Sequence, residues 1–543
     1  MKRLGPLLLL IAAGAALRAI QYFRAGSLWV DEAAVALNLS TRSFGELLSP
    51  LELAQVAPVG FLAVEKALLE TLGRSELALR LLPFLASLAS LILFLRLSRR
   101  MLSGPGAVFA AGCFALATGL IDYAGQLKQY STDVAATAAV LLVAASSIRE
   151  RLTLRRALAP AAAGLAACLF SHSIVLVLAG VGLALVLLAA IRRLDAGLPA
   201  LVLLAVAWSL GAAFVLWSVH RTVTPEVSSY LKDFWASGFP PRDPVGAFSW
   251  SGRELVRIFG AFLDYPLPWL FVALVLAGIV RLSRRDLASG LLLLFPLLAT
   301  IAAAAARLYP FAPGRVTAFA VPLLLLFTGE GVECLGTLPW RGLKWAGAIA
   351  AGIAAVCPII VVARNPPPYV HEDLRPALQR LGEKRAMGDA LYVFYGARLP
   401  YLFHEPRASA AGETLLGECA REDPRRYFRE LDRFRGRPRV WVLISHDLPV
   451  FSEGPLLLAY LDRIGRPLER DASRSRVDSS PVILALYDLS DAEKLSSASP
   501  DSFPVPDPPA GAAARLPCAG TMGPIPERLS GGRAREAESG RSR

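Results

Sequence analysis

Charged side chains are scarce in this chain: Asp, Glu, Lys and Arg make up 19% of its 543 residues, against about 25% in an ordinary soluble domain. Histidine occurs only five times and methionine four. The six cysteines form no CxxC pair and no Cys/His metal spacing, which excludes a zinc module or a dithiol redox motif. Cys113, Cys168, Cys334 and Cys357 lie in apolar blocks, where cysteine behaves as a small hydrophobe. Only Cys419 and Cys518 lie where they could meet outside a membrane.

What the chain has in excess is apolar length. Hydrophobic residues reach 55% and the mean hydropathy is +0.48. The excess is concentrated before position 364, in blocks of roughly 17–22 residues, the length that crosses about 30 Å of hydrocarbon. Spans are predicted at 4–23, 76–97, 105–122, 132–148, 157–172, 173–191, 198–219, 265–282, 288–306, 316–336 and 343–363. The fold class is therefore an all-α polytopic membrane protein of about eleven helices. The first block follows Lys2-Arg3 as a signal peptide would. Arg18 interrupts it, however, and no small-residue cleavage site follows, so it is read as an uncleaved span.

The net charge of +13 does not indicate nucleic acid, because the basic residues sit in short loops between apolar blocks. Arg99-Arg100, Arg149 to Arg156, Arg192-Arg193, Arg281 to Arg285 and Arg341 to Lys344 fall in alternate loops. Placing all of them in the cytoplasm puts the N-terminus inside and the C-terminal region outside. The protein is then expected in the inner or plasma membrane of the cell. Two long loops fall on the outer face, 24–75 and 220–264. The second carries Trp235, Pro240-Pro241 and Trp250 and is amphipathic enough to lie on a membrane surface. Long loops on one face point to chemistry on that face.

From Asn365-Pro366-Pro367-Pro368 onward the pattern is that of soluble protein. Helices are expected at 373–385, 427–434 and 454–464, and strands at 390–395, 440–445 and 482–487. This alternation predicts a small extracytoplasmic α/β domain over 364–490. After 491 the chain is rich in Ser, Pro, Ala, Gly and Arg with little to bury, so 491–543 is expected to be a disordered tail.

Ionisable groups at a membrane edge are costly and point to function. Asp31-Glu32 opens a short helix just beyond the first span, in Trp29-Val30-Asp31-Glu32. Asp31 near the helix N-terminus is steadied by the dipole, and its neighbour points about 100° away. On the same face follow Gln55-Val56-Ala57-Pro58, then Gly73-Arg74-Ser75-Glu76 leading to Arg80 and Pro83. Asp122-Tyr123, Lys128-Gln129-Tyr130-Ser131-Thr132-Asp133 and Tyr309-Pro310-Phe311-Ala312-Pro313-Gly314-Arg315 return there. Taken singly, Asp31 reads equally as a helix cap, and Arg80 and Lys128 as cations snorkelling to headgroups. The isolated His172 and His220 are read as structural or interfacial. Asn38-Leu39-Ser40 matches a glycosylation sequon beside the acid pair.

Together these motifs, in this order relative to the spans, resemble the GT-C glycosyltransferases. The resemblance is to the protein O-mannosyltransferase and aminoarabinose transferase superfamily, in its bacterial lipopolysaccharide glycosyltransferase-like branch, over about residues 1–340. It implies transfer of a sugar from a polyprenyl-phosphate donor to a hydroxyl of a lipid, glycan or protein, on the extracytoplasmic face and with inversion. By this likeness Asp31 is the catalytic base, and Glu32 orients the acceptor or braces the loop. Arg80 and Lys128 meet the charge that develops on the leaving phosphate, and Arg315 reaches the same phosphate. Gln55 and Tyr130 support the site, and Asp133 supports it by pairing with one of the cations. Metal dependence varies across such families. No cofactor is assigned, and a divalent metal stays open. The C-terminal domain does not resemble the family's sugar-binding modules.

Two rival readings remain. A transporter or flippase of lipid-linked sugars would place polar residues at mid-membrane and often carry inverted repeats. Here the charges lie at one face and no such repeat is evident. A non-catalytic envelope scaffold would need only the C-terminal domain.

Overall fold

The computed structural model describes residues 4–337, 341–404, 412–448, 450–473, 481–491, 494, 499–506, 518 and 520–530. The chain divides into two compact units. The first comprises 1–24, 57–222 and 235–368, and the second 25–56, 223–234 and 369–543.

The first unit is helical. Its elements are α1 (Leu4–Arg24), α3 (Val59–Leu72), α4 (Glu76–Leu79), α5 (Leu81–Met101), α6 (Gly104–Ala115), α7 (Thr118–Asp122), α8 (Tyr130–Ser147), α9 (Leu154–Phe170), α10 (Ile174–Ala190), α11 (Leu198–Thr222), α13 (Pro244–Arg257), α14 (Pro268–Arg285), α15 (Leu287–Ala305), α16 (Val321–Gly336) and α17 (Arg341–Arg364). Each span expected from the sequence coincides with a helix or a helix pair. Among the described residues, seven helices are long and apolar enough to cross a membrane, or eight if the bent pair α6–α7 is one span. The protein is thus a multi-pass membrane protein.

Three spans differ in detail from the sequence expectation. The one expected at 76–97 breaks at Arg80, which lies outside helical geometry (φ −102°, ψ 1°). Pro83 lacks the N–H that would bond Leu79, so a continuous helix through Arg80 would lose that link. The span expected at 105–122 bends by 52° between α6 and α7. The span expected at 316–336 begins as a 3₁₀ turn, Arg315–Ala320, before Pro322 opens α16.

Close helix contacts rest on small residues, as in membranes generally, where association depends on backbone approach. A Cβ on Gly278 would lie 1.9 Å from the Phe327 carbonyl oxygen, and one on Gly331 2.0 Å from that of Leu274, so α14 and α16 meet backbone to backbone. Gly180 of α10 meets the Pro296 backbone of α15 in the same way.

The bend between α6 and α7 has a partner. Arg18, fully buried in α1, donates to the Ala115 carbonyl (2.9 Å), the Phe114 carbonyl (3.3 Å) and the Gly14 carbonyl (3.1 Å), and from Nε to Ser87 Oγ (2.8 Å). A helix end leaves such carbonyls without donors, and one guanidinium supplies them.

The second unit contains α2 (Val30–Thr41), α12 (Pro225–Phe234), α18 (Arg375–Lys384), α19 (Arg398–His404), α20 (Arg425–Asp432) and α21 (Glu453–Ile464). Its strands are β1 (Ala390–Val393), β2 (Thr414–Leu416), β3 (Val440–Ile444), β4 (Arg466–Ser473) and β5 (Val482–Asp488). They form one mixed sheet in the order β2-β1-β3-β5-β4, with β1 parallel to β2 and β3, and β5 antiparallel to β3 and β4. The expected α/β character is present. β2 and β4 are additional: β2 has only three residues, and β4 is a mostly exposed edge strand with the charged sequence Arg-Pro-Leu-Glu-Arg-Asp-Ala-Ser. Such an edge carries no hydrophobic alternation to read. The core of this unit gathers Trp441, Leu391, Val393, Tyr401 and Leu484.

The expectation of a loose tail fails where the tail is described. Cys518 forms a disulfide with Cys419. Met522 and Leu529 are buried, and Arg398 donates to the Met522 and Gly523 carbonyls at 3.2 and 2.9 Å. Arg528 pairs with Glu46, and Asp501 accepts from Arg429 at 2.8 Å. A covalent link and captured carbonyls hold these segments, and composition reports neither. The rest of 491–543 lies outside the described residues.

Candidate active site

In the second unit the acid pair opens α2. Trp29 precedes the helix in extended conformation (φ −80°, ψ 173°), Asp31 is half-buried in the first turn, and Glu32 is fully buried. Glu32 accepts from the Trp29 backbone N–H at 3.4 Å, closing the helix start. Asn38, also fully buried, accepts from the Glu52 N–H (2.9 Å) and donates to the Ala34 and Glu52 carbonyls. The sequon asparagine is therefore a fastener for the 25–56 segment and is closed to modification in the folded protein. Gln55 is buried and donates to the Leu53 carbonyl at 3.1 Å, after two residues in the left-handed region, Leu53 and Ala54.

Residues from the far end of the chain join this segment. The Ser27 N–H donates to Asp373 Oδ1 at 2.9 Å, and the Leu374 N–H donates to Ser27 Oγ at 2.9 Å. Asp373 is half-buried, which would raise its carboxyl, yet Arg375 and the Ser27 N–H together hold it below the usual carboxylate range. Trp29 stacks on His371 with centroids 5.0 Å apart and lies 6.4 Å from the His446 ring. His446 Nδ1 is 2.6 Å from Glu372 Oε1, and Ser445 Oγ donates to Glu372 Oε2 at 3.1 Å. Sequence reasoning missed Glu372 and His446, which lie more than 300 residues from Asp31. No spacing signal links them.

In the first unit the polar residues expected at the membrane edge gather on elements that pack together. α5 packs on α8 and on the turn Tyr123–Gly125, and α8 packs on the turn Arg315–Ala320. Arg80 at the head of α5 is buried, as is Lys128 before α8, and Arg315 is half-buried at the head of its turn. Two α-helices and a 3₁₀ turn thus begin at or just after these cations, and each start carries positive partial charge. Gly314 (φ +100°) supplies the left-handed conformation that turns the chain into Arg315, whose guanidinium lies 5.1 Å over the Trp235 ring. Tyr123 and Tyr130 lie 4.8 Å apart. Asp122 accepts from Gln126 at 2.9 Å and from Gln21 at 3.5 Å.

Asp133 departs from its expected role. It faces the Ser171 and Ser173 hydroxyls, not a cation, and its Oδ1 finds no partner. The cause is placement: Asp133 lies one turn into α8, which packs on α9 and α10 where Ser171-His172-Ser173 joins them. The short connection between those two spans therefore supplies polar groups to α8. His220 is exposed in the last turn of α11. Among the described residues, no group of three or more His, Cys, Asp or Glu is arranged to hold a metal ion.

Comparison with known proteins adds the following. No protein-family model matches the chain, and no curated protein matches it. Among solved structures the chain is similar to apo ArnT from Cupriavidus metallidurans, with 14% identity, a TM-score of 0.48, and coverage of 92% of this chain and 100% of that one. The same protein bound to undecaprenyl phosphate gives 15% identity, a TM-score of 0.47 and coverage of 90% and 99%. The archaeal oligosaccharyltransferase AglB from Archaeoglobus fulgidus, in complex with an inhibitory peptide and a dolichol-phosphate, gives 13%, 0.46, and 86% and 73%. ArnT and AglB are both GT-C superfamily membrane glycosyltransferases. Similarity at this level assigns no activity to the chain.

Proposed function

We propose that this protein is an inverting membrane glycosyltransferase that moves a sugar from a polyprenyl-phosphate donor to a hydroxyl of a lipid, glycan or protein acceptor on the extracytoplasmic face. The observation that carries this reading is that Arg80, Lys128 and Arg315 lie at the starts of α5, α8 and the Arg315–Ala320 turn, with α8 packed on both of the others. Cations and helix N-termini suit a phosphate, and a phosphate leaving group needs such groups most as its charge develops.

Asp31 is the general base in this reading. It removes the acceptor hydroxyl proton as that oxygen attacks the anomeric carbon from the face opposite the phosphate. The C–O bond to the phosphate breaks, and the electron pair leaves with it. A carboxylate in this role contributes roughly 10²–10⁴-fold. The leaving phosphate is a weak base and needs no acid. Glu32 fixes the helix start that carries Asp31. Gln55 and Tyr130 support the site. Asp133 supports the outer end of α8 through its serine partners.

The reading requires the 25–56 segment to face the extracytoplasmic side. The Cys419–Cys518 disulfide supports that side for the second unit, since such bonds persist in oxidising compartments. The test is comparative profiling of envelope glycolipids and glycans from cells with and without the gene. A species lacking one sugar in the deletion is the expected result. Unchanged profiles, together with carrier translocation by the purified protein in vesicles, would replace the enzyme with a transporter.

A further inference from the structure

The C-terminal region has no role in the mechanism above, yet it shares one compact unit with the segment that bears Asp31. The join is tight. A Cβ on Gly26 would lie 2.7 Å from Val370 Cγ1, and Ser27 exchanges hydrogen bonds with Asp373 and Leu374. The same stretch carries Glu372, which is buried to 1% exposure and grips both Ser445 and His446.

His446 stands just past the end of β3, in the left-handed region at φ +56°. That conformation is uncommon outside glycine and points to a residue held in place by its surroundings. Gly396 wedges it from behind, since a Cβ there would lie 2.3 Å from the Ser445 carbonyl oxygen and 2.9 Å from His446 Cβ. With Nδ1 engaged by Glu372, Nε2 is the ring atom left to address other groups. Trp29, which precedes the helix whose first turn holds Asp31, has its ring 6.4 Å from the His446 ring, and the Asp31 charge acts on the imidazole.

We propose that His446, fixed by Glu372, is a positioning residue for Asp31, so that the C-terminal unit forms part of the transfer site. This rests on the glycosyltransferase reading with Asp31 as base. In this proposal the imidazolium acts on the Asp31 carboxylate across the Trp29 corner and keeps it charged and aimed until the acceptor proton arrives. The proton then passes from Asp31 to water after the product leaves. Glu372, Asp31, Arg421 and the adjacent Asp447 interact electrostatically with His446. Burial acts to lower the basicity of the imidazole, but Glu372, with a smaller push from Asp31, raises it above the ordinary value. The imidazolium is therefore present below that raised value, and its hold on Asp31 fades as pH rises through it.

The test uses full-length protein in detergent, with histidines labelled at Cε1 for NMR. The chain has only five histidines, so H446Q identifies the resonance. Its midpoint is expected above the ordinary imidazole value in the wild type, lower in E372Q, and shifted down in D31N by less than in E372Q. A midpoint that D31N leaves unmoved overturns the proposal. A parallel arm profiles envelope glycans in cells carrying each variant at equal protein level, with H446Q expected to reduce product at least tenfold. If D31N abolishes the product and H446Q leaves it whole, the positioning role fails alone. If D31N itself leaves the product whole, the transferase reading of Asp31 fails with it.

Discussion

Replacing Cys419 and Cys518 together by serine tests how the tail is held. The bond closes a loop of 99 residues in sequence, and β3, α21, β4 and β5 all lie inside it. In the chain-entropy model a loop of that length limits the unfolded ensemble by about 4.7 kcal/mol at 25 °C. A body of 150–250 residues loses about 2–4 °C of melting temperature per kcal/mol. The expected fall is therefore about 10 °C or more for the second unit. The unit's own core and the anchors at Arg398 and Arg528 persist in the variant, so it should still fold when cold. The assay heats full-length protein in detergent, applies a brief protease pulse at each temperature, and follows a C-terminal fragment by blotting. Wild type with a thiol reductant should coincide with the double variant. Midpoints within about 1 °C of each other would refute the reasoning, because the bond would then close no loop that unfolding has to open.

Two further predictions concern charge. Glu65 in α3 is fully buried, neither carboxylate oxygen has a partner, and burial pushes its carboxyl well above the usual range. A carboxyl raised on folding gives stability that is whole below its unfolded value of about 4.3 and lost as pH rises through the folded one. Glu65→Gln should abolish that alkaline loss in thermal melts between pH 5 and 9, and parallel curves for the two proteins would contradict it. Arg80→Ala and Lys128→Ala should each weaken binding of a short-chain polyprenyl phosphate about tenfold, as loss of a charge-assisted contact does. A matching fall in thermal stability without loss of binding would make them structural.

The legible parts of this protein are those governed by hydropathy and periodicity. The spans were readable because a bilayer requires long apolar helices. The breaks were not, since Arg80 yields to Pro83 and the α6–α7 bend answers to Arg18 from another helix. In the C-terminal unit the buried strands β1, β3 and β5 were visible, while the charged edge β4 carried no signal. The acid pair and the cations stood out as polar residues at a membrane edge. Their partners did not: Glu372 and His446 reach the Trp29–Asp31 corner only through the tertiary fold, and Asp133 turns to two serines from the connection between α9 and α10.

The most direct measurement is an exchange of one oxygen for one nitrogen. Asp31→Asn removes basicity and almost no volume, so the protein should insert and fold at wild-type level. Cells whose only copy carries this variant should show the envelope glycan profile of the deletion strain, with at least a hundredfold loss of the transferred sugar, as expected when a general base is removed. A wild-type profile in those cells, with the variant shown to be present in the membrane, would contradict the account.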